Sequence, residues 1–181
     1  TAVEVIGFDA DDTLWHNERY FHETQRAFHD LLAEYAEPHT TEATLLAAER
    51  RNLAVFGYGV KGFLLSMIET AIEISDGAIP ASQIERILVL GKELLSRPVE
   101  LLPHADATVR ALATGHRLVL VTKGDLFHQE TKIAASGLAE CFTHIEVVAE
   151  KDVPTYRRIF ERHDIDPARF VMVGNSLKSD I

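Results

Sequence analysis

Four short apolar runs punctuate the chain: Val3-Glu4-Val5-Ile6-Gly7-Phe8, Arg117-Leu118-Val119-Leu120-Val121, His144-Ile145-Glu146-Val147-Val148 and Phe170-Val171-Met172-Val173. Each is too short for a buried helix and rich in valine and isoleucine, which predicts strands buried between layers. Helical patterns precede or separate the last three runs, at about 105–114, 125–136 and 152–163, with Gly115 and Gly137 where helices should end. Strands alternating with helices predict a parallel α/β sheet.

The stretch from about 17 to 97 breaks this rhythm, because it holds helical periodicities and no convincing strand. Phe21, Phe28, Leu31, Leu32 and Tyr35 form one stripe, and Val60, Phe63, Leu64, Met67, Ile68, Ala71 and Ile72 another. Ser82 with Glu85 reads as a capping box ahead of Ile84, Ile87, Leu88, Gly91, Leu94 and Leu95. Gly57, Gly59 and Gly62 mark one break between helices, and Asp76-Gly77 with Pro80 the next. The expected class is α/β: a Rossmann-like parallel sheet with an all-helical module inserted directly after its first strand.

Composition narrows the function. With 181 residues, 46% of them hydrophobic and 25% charged, the chain can build a sizeable core in one or two domains. Lys and Arg number 18 against 28 Asp and Glu, a formal charge of −10 that repels nucleic acid and anionic membranes. A small anionic substrate stays compatible, since a bound cation or a few convergent donors reverse the field locally. The lone Cys141 excludes an intrachain disulfide and any multi-cysteine metal site. None of the nine histidines stands in a His-x-x-x-His pair. The N-terminal apolar run is short and lacks a basic flank, so a cytoplasmic protein is expected. Threonine rather than methionine at position 1 fits removal of a residue or tag at that end.

The candidate chemistry gathers at strand ends, where ligands bind in open parallel sheets. The first strand runs into Phe8-Asp9-Ala10-Asp11-Asp12-Thr13-Leu14. Clustered carboxylates call for a bound cation or a raised pKa. The second strand ends in Thr122-Lys123-Gly124-Asp125, a hydroxyl and amides suited to an anionic oxygen. The third is followed by Glu150-Lys151-Asp152, and the fourth by Gly174-Asn175-Ser176-Leu177-Lys178-Ser179-Asp180. Taken singly, the acids also read as helix caps, Thr122 as a strand-end hydroxyl and Lys151 as a surface charge.

Together, in this order, these residues resemble the haloacid dehalogenase-like (HAD) superfamily along the whole chain, through Asp9, Asp11 and Thr13, then Thr122, Lys151, and Gly174 with Asp180. The resemblance implies a magnesium-dependent phosphatase acting on a small phosphorylated metabolite. Asp9 would be the nucleophile that forms an aspartyl-phosphate, and Asp11 the general acid and then base. Thr122 and Lys151 would bind phosphoryl oxygens. Mg2+ would lie among Asp9, the Asp11 carbonyl, Asn175 and Asp180. Thr13, Trp15 and Lys123 are the substrate-binding candidates. It also implies an α/β catalytic core over residues 1–14 and 101–181 and a helical cap over 15–100, which sets specificity and offers apolar positions on which two chains can pair.

Two departures stand out. Asn175 occupies a place where the family pattern has aspartate, which removes one negative charge and predicts weaker metal affinity. The chain stops at Ile181, where relatives add further strand and helix, so residues missing at that end are expected. Competing readings on the same fold are a phosphomutase and a haloacid dehalogenase, though a dehalogenase has no leaving alkoxide for Asp11 to protonate. A phospho-accepting signalling module fits less well, since the long helical insertion is foreign to it.

Overall fold

Valine, isoleucine and leucine alternate with nothing polar through the middle of the sheet, and that run is what the strands bury. The computed structural model describes residues 2–180. Its elements run β1 (Val5–Phe8), α1 (Glu18–Leu31), α2 (Pro38–Phe56), α3 (Val60–Ile74), α4 (Ala81–Leu95), α5 (Ala105–Ala113), β2 (Arg117–Lys123), α6 (Leu126–Ser136), β3 (His144–Val148), α7 (Val153–His163) and β4 (Phe170–Val173). The chain divides into two compact units, one formed by the residues up to Glu18 with those from Val99 on, the other by Arg19–Pro98. No described helix is long and apolar enough to cross a membrane.

The first unit is a parallel four-stranded sheet in the order β3-β2-β1-β4. Val5 pairs with Arg117 and Phe8 with Leu120 on one side of β1, and Phe8 with Val173 on the other. This register brings the ends of β1, β2 and β4 to one level, and β3 follows through Lys123 paired with Val148. One apolar layer packs Ile6, Phe8, Leu14, Trp15, Leu118, Leu120, Ile133 and Phe142; the other packs Val5, Val119, Val121, Ile159 and Ile165. A Cβ on Gly7 would stand 2.5 Å from the Phe170 ring and 2.8 Å from Met172 Sδ, so the β1–β4 pairing needs glycine there.

The predicted helices fall at α5, α6 and α7, and Gly137 ends α6 with a left-handed φ of 70°. Asp125 and Asp152 cap α6 and α7, accepting from His128 N and Thr155 N at 3.0 and 2.9 Å. β1 begins at Val5, two residues later than the apolar run suggested, and Val3 is exposed.

The second unit is four helices around Phe28, Leu32, Leu45, Val60, Phe63, Met67, Ala71 and Ile87. Both predicted stripes lie in this core except Ile72, which is 47% exposed. The Ser82–Glu85 capping box does not form. Pro80, extended at φ −72° and ψ 150°, precedes the first residue of α4, Ala81, and Ser82 lies inside the helix. Pro80 itself takes the extended N-cap conformation, so the helix starts directly after it and the Ser82 hydroxyl has no cap to make.

Candidate active site

The segments that follow β1, β3 and β4 converge on a buried cluster of charge. Asp9 leaves β1 with its amide still bound to Val173 O at 2.8 Å, which fixes its side chain over the sheet end. Lys151, which follows β3, places its ammonium between two carboxylates, donating to Asp9 Oδ1 and, at 2.7 Å, to Asp180 Oδ1. All three side chains are buried. Of the remaining oxygens, Asp9 Oδ2 accepts from the Thr13 hydroxyl at 3.1 Å, and Asp180 Oδ2 from Ser176 N at 3.1 Å.

Asp180 reaches this position because residue 174 has no side chain. A Cβ on Gly174 would overlap the Asp180 carboxyl at 2.3 Å. The turn that carries Asp180 closes with Asp180 N donating to Ser176 O at 2.9 Å, and the Tyr156 hydroxyl donates to Ser179 O at 3.2 Å. Burial raises the Tyr156 phenol, with the charges of Asp180 and Asp9 adding to the shift. Burial also raises the Asp9 carboxyl; Lys151 opposes that shift and Asp180 adds to it. Two buried carboxylates thus share one ammonium, a net negative cluster with two oxygens still able to accept.

That donor set suits a hard cation. Magnesium uses one or two carboxylates and fills its remaining positions with water and substrate oxygen, so the pair Asp9 and Asp180 suffices. Among the described residues, no three histidine, cysteine or acidic side chains converge closely enough to hold a metal by themselves. Asn175 is exposed in the same turn.

The other predicted residues divide by task. Thr122, at the end of β2, is buried beside the Gln129 amide at 2.8 Å. Lys123 donates to Glu150 Oε1 at 2.9 Å, and the same Glu150 oxygen accepts from Lys151 N at 2.9 Å, bracing the turn before α7. Trp15, expected against substrate, is 1% exposed: its ring belongs to the core and its Nε1 donates to Asp11 Oδ1 at 2.8 Å. Asp12 has φ 60°, and its carboxylate accepts from Asn17 N and Glu18 N at 2.9 Å, a local tie at the entry to α1. Of the three acids in the first motif, Asp9 alone joins the Lys151 cluster.

Asp11 is held instead by residues that the motifs did not point to. Lys132 donates to its Oδ1 at 2.5 Å and Gln129 to its Oδ2 at 3.1 Å, both from α6. The available signal was a lysine and a glutamine on the same helical face as buried Ile133, where an apolar stripe is expected.

The description of haloacid dehalogenase-like hydrolases matches residues 3–181. A haloacid dehalogenase-like family hydrolase from Xanthomonas campestris is 49% identical, with a TM-score of 0.94 over 99% of this chain and 76% of that one. A HAD-hydrolase from Bacillus subtilis bound to magnesium is 17% identical, with a TM-score of 0.68 over 100% and 82% of the two chains. A 2-haloacid dehalogenase from Pseudomonas syringae pv. tomato is 20% identical, with a TM-score of 0.64 over 98% and 80%. No curated protein matches the chain significantly in sequence. A family match along nearly the whole chain and a relative at 49% identity make this protein a member of the haloacid dehalogenase-like hydrolases.

Proposed function

We propose that this hydrolase is a magnesium-dependent phosphatase that acts on a small phosphorylated metabolite through an aspartyl-phosphate on Asp9. The observation that carries the reading is the buried Asp9–Lys151–Asp180 cluster with a second carboxylate, Asp11, held two residues from the nucleophile. Nucleophile, counter-charge and acid/base group are the parts that in-line phosphoryl transfer requires.

Asp9, with Oδ1 on Lys151, attacks phosphorus and the ester oxygen leaves. Asp11 gives that oxygen a proton. Water then attacks the aspartyl-phosphate, Asp11 takes its proton, and inorganic phosphate departs with Asp9 restored. Thr122 and Lys151 bind the phosphoryl oxygens. Asp9, Asp180, the Asp11 carbonyl and Asn175 would hold magnesium, which supplies positive charge against the transferring group. The magnesium bound by the Bacillus subtilis relative is in keeping with this. The helical unit Arg19–Pro98 is read as the cap that sets specificity. A dehalogenase would need no proton donor at position 11, which favours a phosphate ester over a haloacid.

The test is phosphate release from p-nitrophenyl phosphate, with and without magnesium, for the wild type and Asp9→Asn. We expect magnesium-dependent release that falls roughly a thousand-fold or more in D9N, the scale of losing a nucleophile. Release that survives D9N, or no release from the folded wild type, overturns the reading.

A further inference from the structure

Gln129 is a buried amide with more acceptors than hydrogens. Its Nε2 stands 2.8 Å from Thr122 Oγ1, 2.8 Å from Lys123 O and 3.1 Å from Asp11 Oδ2. Two N–H bonds therefore serve three acceptors, and the longest contact is the one to Asp11. Turning the amide over would set Oε1 against a carboxylate and a carbonyl, so its orientation is determined by its neighbours. Oε1 itself has no partner among the described residues.

The seat of this amide is built into the backbone. Gly124 has φ 137°, a conformation that disfavours any other residue, and a Cβ there would meet Gln129 Cγ at 3.1 Å and Nε2 at 3.3 Å. Three residues along the same face of α6, Lys132 donates to Asp11 Oδ1 at 2.5 Å and to Asn17 Oδ1 at 3.2 Å. Trp15 Nε1 donates to the same Asp11 oxygen at 2.8 Å. Asp11 Oδ1 thus holds two donors, whereas Oδ2 holds only the shared amide.

We propose that Gln129 and Lys132 are positioning residues that hold Asp11 with Oδ2 as its proton-transferring oxygen and tie that carboxylate to the Thr122 hydroxyl. The proposal rests on the reading of Asp11 as acid and base. Lys132 and Trp15 occupy Oδ1 and stop the carboxylate from turning. Gln129 fills a lone pair of Thr122, so the hydroxyl can only donate; its hydrogen, on Lys123 O at a long 3.4 Å here, is the one that turns to a phosphoryl oxygen. One neutral amide thereby sets the spacing between the proton donor and the phosphate.

Leaving-group dependence separates this role from a structural one. Phenyl phosphate and p-nitrophenyl phosphate differ little in shape, but the phenyl ester leaves as the more basic oxygen and needs the proton more. The ratio of kcat/KM for the two esters is measured with magnesium for the full chain and for D11N, Q129M, K132M and K132R. D11N, which removes the proton, sets the largest change in the ratio. Q129M and K132M are expected to shift it in the same direction, by roughly tenfold, a fraction of general acid catalysis. Q129M also raises KM for both esters, and K132R restores most of what K132M loses. If D11N shifts the ratio while Q129M and K132M do not, or if K132M is faster than the wild type, the positioning role is wrong although Asp11 keeps its task. If D11N leaves the ratio unchanged, the reading of Asp11 falls and this proposal with it. Q129M alters no charge and decides the question should K132M fail to fold.

Discussion

The two units bury different polar groups. Among the described residues of the α/β unit, Asp9, Lys132, Lys151 and Asp180 are buried charges, with Gln129 and Thr122 beside them. In the helical unit the buried polar residues are hydroxyls: Thr24, Thr41, Ser66, Thr70 and Ser75. Several of these close on a nearby carbonyl of their own chain segment, as Ser66 does on Gly62 O at 2.9 Å and Ser75 on Ile72 O at 3.2 Å. A helix hydroxyl that bonds a nearby carbonyl is satisfied locally and needs no distant partner. A buried charge needs a partner from elsewhere in the fold, and here each comes from a different strand end or from α6. The α/β unit thus carries the electrostatic cost of a buried charge cluster, while the helical unit is stabilised by apolar packing.

The largest test of this contrast is Lys151→Met. It leaves Asp9 and Asp180 facing each other in a buried site, and breaking such a pair costs about 3–5 kcal/mol. Urea unfolding should show this loss, and a variant as stable as the wild type would break the contrast. The opposite sign is expected in the helical unit. The Thr70 hydroxyl is buried with no partner among the described residues, so Thr70→Val should stabilise by about 1 kcal/mol, the lower end of an unsatisfied group's cost. A destabilised T70V would show that this hydroxyl has a task the contrast leaves out.

The smallest effect concerns the outer edge of the sheet. His144 stacks on His163 at 3.8 Å between ring centroids, and Glu146 sits 2.6 Å from His163 Nε2. Burial lowers the His144 pKa below its ordinary 6.5; His163 and Arg117 add to the shift, and Glu146 opposes it. A histidine so lowered binds fewer protons folded than unfolded. Its contribution is therefore complete above 6.5 and declines as pH falls through the window beneath that value. Thermal melts from about pH 8 to about pH 5 should show a decline in the wild type that is smaller in His144→Gln. Identical pH profiles would remove His144 from the account.

Much of the fold was legible because local physics and tertiary packing agree in it. β2 is buried on both faces, with Leu118 and Leu120 in one apolar layer and Val119 and Val121 in the other, so positions 118–121 carry no polar residue to confuse the pattern. Where two local preferences compete, as at Pro80 and Ser82, the stronger backbone constraint won and the predicted cap was lost. Trp15 shows the limit for the site, because its place beside the acidic motif after β1 suggests substrate while its ring lies in the core.

The order of motifs along the chain determined the family fold and the parallel sheet, and it singled out Asp9, Thr122, Lys151 and Asp180 as candidates, of which Asp9, Lys151 and Asp180 meet. Each of these residues is tied to the end of a strand, and strand ends follow from the apolar pattern. Tertiary structure alone decided which carboxylates share Lys151, that Gly174 makes room for Asp180, and that α6 supplies Gln129 and Lys132 to Asp11. The contacts of Lys151 with Asp9 and of α6 with Asp11 join residues more than a hundred positions apart, and periodicity along a chain carries no information about pairing at that separation.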